Sequence, residues 1–123
     1  NGKITEAKTL YHKNLKLQKK IGDTEGIAHT YGNLGNVARA ENNLPLAMEY
    51  YNKNIAMTAE IGDLDGNGRG YYNLAGIYEI MKDKDKFVEL LNKSIECFQK
   101  AGSVQYLELA KQRLQEFERG SEV

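Results

Sequence analysis

The sequence has few of the residues that interrupt or cross-link a chain. It contains one proline, one cysteine and no tryptophan among 123 residues. Because proline breaks the interior of a helix, its near absence permits long uninterrupted helices. The single cysteine, Cys97, excludes a disulfide within the chain and is typical of a reducing compartment, so we expect a cytoplasmic location.

An excess of charge of one sign is also missing. Seventeen Lys and Arg residues balance seventeen Asp and Glu residues, and neither half of the chain is strongly basic or acidic. This balance disfavours general affinity for nucleic acid or for anionic membranes. There is no apolar run of the roughly eighteen residues that a transmembrane helix needs, and the amino end does not resemble a signal peptide. We therefore expect neither a nucleic acid nor a membrane as partner.

What the sequence does contain is an internal repeat with a period of forty residues. A period of this size indicates a stacked array, in which each unit is a supersecondary element that cannot bury its apolar face without neighbours. Function then resides on a surface made by stacking. Among the residues that return unchanged one period later are Tyr11, Ile21, Gly22, Asp23, Gly26, Tyr31, Asn33 and Leu34.

Apolar residues spaced three and four apart predict α-helix throughout. The Gly-Asp pairs at 22–23 and 62–63 are expected to end one helix and to cap the next. Pro45 fits the first turn of a helix that follows the turn at 42–44. The predicted helices cover about 4–20, 23–41 and 45–60, two stretches around Tyr71–Tyr78 and Phe87–Phe98, and about 103–119.

Two stretches resemble the tetratricopeptide repeat. The residues that carry this resemblance are Tyr31, Leu34, Gly35, Ala38, Ala47 and Tyr51, and then Tyr71, Leu74, Ala75, Tyr78, Phe87 and Leu91. The period and the Gly-Asp joints resemble the longer-repeat branch of the family, which includes spindle-orientation adaptors and prokaryotic regulators. The resemblance implies an all-α, right-handed α-α superhelix, a solenoid of about six antiparallel helices. Asn14, Asn54 and Ser94 depart from it, since the family usually has alanine there.

The resemblance covers residues 1–119 as a single array. It implies the second helix of a truncated repeat at 1–22, full repeats at 23–62 and 63–102, a capping helix at 103–119 and a tail at 120–123. Because Asn1-Gly2-Lys3 matches the turn in the middle of a repeat, we expect a fragment of a longer array. The apolar stripe left uncovered at this end predicts self-association through the first helix.

Signals for metal binding and catalysis are weak. The segment 63–68 begins like a calcium-binding loop, but its twelfth position is Leu74, where a glutamate is required. We therefore interpret it as a turn and helix cap. His12, His29 and Cys97 do not converge with carboxylates by helical spacing, so no metal, no cofactor and no enzymatic activity are expected.

In the family that the chain resembles, the first helix of each pair lines a concave groove. Asn36 can pair with the backbone of an extended peptide and Arg39 can hold a carboxylate, and packing does not require either residue. Asn33, which recurs as Asn73, is equally consistent with a hydrogen bond to a turn inside the array. The positions implied for the peptide-binding groove are His29, Asn33, Asn36, Arg39, Arg69, Tyr72, Glu79 and Gln112.

These features predict a non-catalytic protein-protein interaction scaffold that binds a peptide or partner segment in a concave groove. The alternative is a regulatory or sensory fragment of a larger signalling protein whose main task is oligomerisation.

Overall fold

The computed structural model describes residues 2–121. Within this range the chain is all-α, as predicted, with six helices and no strand. The last helix continues to Ser121, beyond the predicted end at 119, while residue 1 and residues 122–123 of the predicted tail lie outside the described residues. The helices are α1 (Gly2–Ile21), α2 (Thr24–Ala40), α3 (Leu44–Ile61), α4 (Leu64–Ile80), α5 (Lys84–Ala101) and α6 (Val104–Ser121).

The turns between helices follow from local chemistry. Gly22, Gly62 and Gly102 have φ angles of 74°, 73° and 72°, in the left-handed region that glycine enters without strain. Asp23 accepts a hydrogen bond of 3.0 Å from Gly26 N, and Asn43 accepts one of 3.3 Å from Leu46 N. These side chains satisfy backbone N–H groups that the start of a helix leaves unpaired, so the predicted stops at Gly22 and Gly62 and the predicted cap at Asp23 are confirmed.

The chain divides into two compact units, unit 1 (Asn1–Asp63) and unit 2 (Leu64–Val123). In unit 1, α2 packs against α1 and α3; in unit 2, α5 packs against α4 and α6. The boundary falls at the joint between the two predicted full repeats. The single array predicted over residues 1–119 remains a prediction.

A close approach of two helices organises the core of unit 1. Tyr51 is fully buried, and a Cβ added at Gly35 would lie 2.5 Å from Tyr51 Cε1. Glycine is therefore required where α2 crosses the ring. Beside this contact, Asn54 Nδ2 donates a hydrogen bond of 2.7 Å to Ala28 O, so the asparagine that departs from the family pattern links α3 to the backbone of α2.

Aromatic residues fill the core of unit 2. Phe87 and Phe98 are fully buried, and the rings of Phe87 and Phe117 lie 4.7 Å apart between centroids. A Cβ added at Gly68 would lie 2.7 Å from Phe98 Cε1. Gly68 thus allows α4 to approach α5 closely, as Gly35 does for α2 and α3.

Candidate peptide-binding surfaces

The predicted groove residues of unit 1 lie along α2. His29, Asn36 and Arg39 are exposed, and Asn33 is half-buried. Asn33 and Asn36 both line an open cleft of about 280 Å³ between α1 and α2, whereas His29 and Arg39 are not part of its lining. The structure therefore brings together two of the four predicted side chains.

The α1–α2 cleft combines an apolar floor with amide groups. Its remaining lining residues are Lys3, Ile4, Ala7, Tyr11, Val37 and Ala40. Pockets of this composition bury the apolar part of a ligand and use a few polar groups to fix its orientation. The chemistry suits a peptide segment, since a peptide carries an apolar side chain beside backbone donors and acceptors.

Asn36 has a structural role that the sequence did not predict. Its Oδ1 accepts a hydrogen bond of 2.5 Å from the hydroxyl of Tyr51. Burial raises the pKa of the Tyr51 phenol above its usual value, an effect that the charge of Arg39 partly opposes. The phenol remains a donor at neutral pH, so Asn36 has a contact inside unit 1 that the interpretation from the sequence left out.

In unit 2, Arg69 is held at the surface by two neighbours. Its Nε lies 3.1 Å from Asp65 Oδ2, and its guanidinium carbon lies 5.7 Å from the centroid of the Tyr106 ring. Asp65 also accepts a hydrogen bond from the hydroxyl of Ser103. The acidic segment that resembles a calcium loop is thus helical from Leu64 onward, and its Asp65 is engaged by residues of unit 2.

Tyr72 and Glu79 are joined by a residue that the sequence prediction missed. Arg113 Nη2 lies 2.7 Å from Glu79 Oε1, and the guanidinium carbon lies 4.8 Å from the centroid of Tyr72 and 5.3 Å from that of Phe87. The forty-residue period could have indicated Arg113, because Arg113 lies two periods after Asn33, a predicted groove position. The residue predicted instead, Gln112, is exposed.

Gln112 makes a local contact: its Nε2 donates a hydrogen bond of 3.2 Å to Glu116 Oε1, one turn farther along α6. Unit 2 therefore brings together Tyr72, Glu79 and Arg113, with Arg69 beside Asp65. Whether the predicted positions of both units form one groove stays a prediction.

Other chemistry of the described residues is limited. Between residues 2 and 121, no three His, Cys, Asp or Glu side chains are grouped so that they could hold a metal ion. No helix in that part of the chain has both the length and the apolar character needed to cross a membrane.

The thiol of Cys97 lies 3.4 Å from Asn67 Oδ1. Burial raises the pKa of this thiol, which lowers the fraction of reactive thiolate.

These features are those of a helical-repeat protein. The helices pack in pairs, glycines in the left-handed conformation connect them, and a small residue lies beneath a buried ring. The tetratricopeptide repeat family model matches residues 68–100, which include most of α4 and α5. The resemblance predicted from the sequence is thereby confirmed for this repeat. Comparison with curated proteins gives no match.

Two solved structures have the same fold. BtubC (BKLC) from P. vanneervenii matches with a TM-score of 0.81 and 19% identity, over 92% of this chain and 47% of that one. Aspartyl phosphate phosphatase F from Bacillus subtilis matches with a TM-score of 0.83 and 22% identity, over 89% of this chain and 28% of that one. The chain spans less than half the length of either protein, and at these identities the likeness shows the fold alone.

Proposed function

We propose that the chain is a non-catalytic interaction module that binds a segment of a partner protein. The observation that supports this most strongly is the α1–α2 cleft, where Asn33 and Asn36 stand beside an apolar floor. The folding of the chain as a tetratricopeptide-like repeat agrees with such a role. Because Cys97 is the single cysteine, we also propose that the module works in a reducing compartment.

In the proposed complex, an apolar side chain of the partner enters the cleft against Ala7 and Tyr11. The Asn36 amide nitrogen donates to a backbone carbonyl of the partner, since Tyr51 holds the oxygen of that amide. Arg39 is exposed on the same helix and binds an acidic side chain or a terminal carboxylate. Backbone pairing supplies affinity and the charged group supplies selectivity.

Unit 2 contributes a second, charged surface in this proposal. Arg69 and Tyr72 are half-buried and Glu79 is exposed, so each can meet a partner without unfolding the unit. Arg113 keeps Tyr72 and Glu79 in fixed positions. A preorganised set of this kind lowers the entropy that binding costs and favours partners of matching charge.

The experiment is a selection of peptides from a displayed random library on the immobilised full chain. The selected peptides are then titrated by fluorescence anisotropy against the wild type and the Asn36→Ala/Arg39→Ala variant. We expect binding to the variant to be weaker by roughly a hundredfold, because one hydrogen bond and one ion pair are lost. Full affinity of every selected peptide for the variant would contradict the proposal.

The second candidate is a regulatory or sensory part of a larger signalling protein that mainly oligomerises. The exposed Leu10, Leu17 and Ile21 of α1 favour it, since they offer apolar surface for self-association. The six lysines and one glutamate of α1 oppose the pairing of two such helices. Light scattering at low and high protein concentration tests it: a mass of one chain throughout supports the interaction module, and a concentration-dependent dimer supports the oligomer.

A further inference from the structure

Unit 2 contains a cleft of its own, where the turn between α4 and α5 meets α6. It has a volume of about 230 Å³, and its lining residues are Glu79, Lys82, Asp83, Lys84, Phe87 and Phe117. Helix α5 packs against both α4 and α6, so the cleft lies within a single compact unit. We call it the Phe87–Phe117 cleft.

Aromatic rings form the inner part of the Phe87–Phe117 cleft. The two ring centroids lie 4.7 Å apart; Phe87 is fully buried and Phe117 is half-buried. The other four lining residues are exposed, so charged groups surround an apolar interior. An apolar cavity of about 150 Å³ is large enough to hold a benzene molecule. The cleft can therefore take one large apolar side chain, whose removal from water is favourable.

The two carboxylates of the cleft are already engaged. Glu79 Oε1 lies 2.7 Å from Arg113 Nη2. Asp83 Oδ1 accepts a hydrogen bond of 3.2 Å from the backbone nitrogen of Lys86, which caps the start of α5. Neither carboxylate is thus left to attract a cationic ligand.

Three cations surround the same cleft. The guanidinium carbon of Arg113 lies 5.3 Å from the centroid of the Phe87 ring. Lys82 and Lys84 are exposed, and neither ammonium group forms an ion pair with any residue in the part of the chain that the structure describes. A ligand that enters between the rings therefore meets two unpaired positive charges, which favour carboxylates beside it.

The geometry of the turn does not account for these lysines. Lys82 has a φ angle of 61°, in the left-handed region that few residues other than glycine and asparagine enter readily. The matching residue of unit 1 is Asn42, with φ at 59°, and Leu44 matches Lys84. The same turn is thus built in unit 1 without charge. A residue held in a disfavoured conformation is a sign of function rather than of local preference.

We propose that the Phe87–Phe117 cleft anchors a segment of a partner protein through one large apolar side chain flanked by acidic residues. The apolar side chain packs between the rings, and the flanking carboxylates pair with Lys82 and Lys84. The proposal rests on the proposed function only in that the occupant is a segment of a partner protein. The cleft shares Glu79 alone with the predicted groove.

A second copy of the chain is a poorer occupant. Its segment Asp63-Leu64-Asp65 has an apolar residue between two acidic ones, and Leu64 is 42% exposed. However, Asp65 is held by Arg69, whose Nε lies 3.1 Å from Asp65 Oδ2, and by the hydroxyl of Ser103. Pairing with the lysines of another copy would break both contacts. A partner segment with free carboxylates loses nothing of this kind.

The probe for the test is a short acetylated and amidated peptide, in which one phenylalanine stands between two pairs of aspartates in a glycine-serine background. It is titrated against the full isotope-labelled chain by NMR. We expect saturable shifts of the backbone signals of Lys82 and Lys84 and of the ring signals of Phe117. Replacing the phenylalanine by serine should weaken binding roughly tenfold. Replacing the aspartates by asparagines should weaken it about threefold or more, and by lysines further.

Variants of the full chain locate the site. We expect Lys82→Asn/Lys84→Gln to weaken binding about threefold or more without loss of thermal stability, because asparagine suits the left-handed conformation at 82. Lys16→Gln/Lys20→Gln is the matched control, since it removes the same charge from exposed positions of α1, and affinity should be unchanged. Arg39→Ala should also leave affinity unchanged. Loss of groove binding and loss of cleft binding are thereby distinguished.

Several results would overturn the proposal. Two are the absence of saturable shifts at the cleft and equal affinity of the Lys82→Asn/Lys84→Gln variant for the probe. Tighter binding of the lysine-containing peptide would instead make the cleft a site for cations. A dimer in light scattering that the double lysine variant abolishes would assign the cleft to self-association. Binding to phosphatidylserine vesicles that depends on the same lysines, without peptide binding, would make it a membrane-surface contact.

Discussion

The hydroxyl of Tyr51 donates a hydrogen bond of 2.5 Å to Oδ1 of Asn36, which joins the centre of the unit 1 core to a side chain at the cleft. The Tyr51 ring is fully buried against Gly35, and Asn36 is exposed. The core thereby fixes which way the Asn36 amide faces. A side chain oriented before binding loses less entropy when a ligand arrives.

The two ends of this hydrogen bond should respond differently to mutation. Asn36→Ala leaves a buried hydroxyl without its partner and should cost about 1–3 kcal/mol of unfolding free energy. Tyr51→Phe leaves the exposed amide free to bind water, and should cost about 0.5–1.5 kcal/mol. Urea unfolding of both variants and of the double variant checks this; equal costs would show that the hydroxyl reaches water when Asn36 is absent.

The free energy of unfolding should fall at alkaline pH because the phenol of Tyr51 loses its proton there. Burial raises the pKa of this phenol above its usual value of 10.0, so the folded chain keeps the proton after the unfolded chain has lost it. The contribution of Tyr51 to stability is complete below about pH 10 and is lost as the pH rises through the folded-state value. We expect the wild type to lose more unfolding free energy than Tyr51→Phe between pH 9 and pH 11. Parallel curves would contradict this.

Gly35 should tolerate no side chain. An alanine Cβ there would lie 2.5 Å from Tyr51 Cε1, so the buried ring has to shift. We expect Gly35→Ala to destabilise the chain by about 1–3 kcal/mol, despite the better helix propensity of alanine. Gly120→Ala is the control, because nothing lies within 4 Å of that Cβ, and it should be neutral or slightly stabilising. Thermal unfolding of both variants measures the difference.

Replacing Arg113 should destabilise the chain more than replacing its ion-pair partner, Glu79. Its side chain is 23% exposed and contacts the rings of Tyr72 and Phe87 as well as Glu79. We expect Arg113→Gln to cost about 1–2 kcal/mol, since cation-π and packing contacts are lost with the ion pair. Glu79→Gln should cost less than about 1 kcal/mol, as exposed pairs contribute little. Chemical denaturation compares the two, and an equal loss would assign the whole effect to the ion pair.

The sequence predicted the helices and their ends because those depend on local residues. Left-handed glycines at 22 and 62, the cap at Asp23 and the period are visible without a structure. The glycine beneath Tyr51 was also predictable, since Gly35 recurs as Ala75 at the same position of the repeat. Each of these features repeats or acts within one turn of helix.

The cross-helix contacts of the candidate site could not be predicted in the same way. The residues of the Asn36–Tyr51 and Glu79–Arg113 pairs lie on different helices, so no spacing rule within a helix finds them. They depend on the axial offset at which two helices pack, which side-chain volumes in the core determine. For the same reason Arg113 was missed, although its neighbour Gln112 was selected.

The most direct test of the proposed function compares the binding of one selected peptide to Asn36→Ala and to Tyr51→Phe. Both variants remove the same hydrogen bond, but only Asn36→Ala removes the amide that is proposed to meet the partner. Measured by isothermal titration calorimetry on folded protein, Asn36→Ala should bind about tenfold more weakly than the wild type, and Tyr51→Phe within about twofold of it. Equal affinities for both variants would contradict a role for Asn36 in ligand binding.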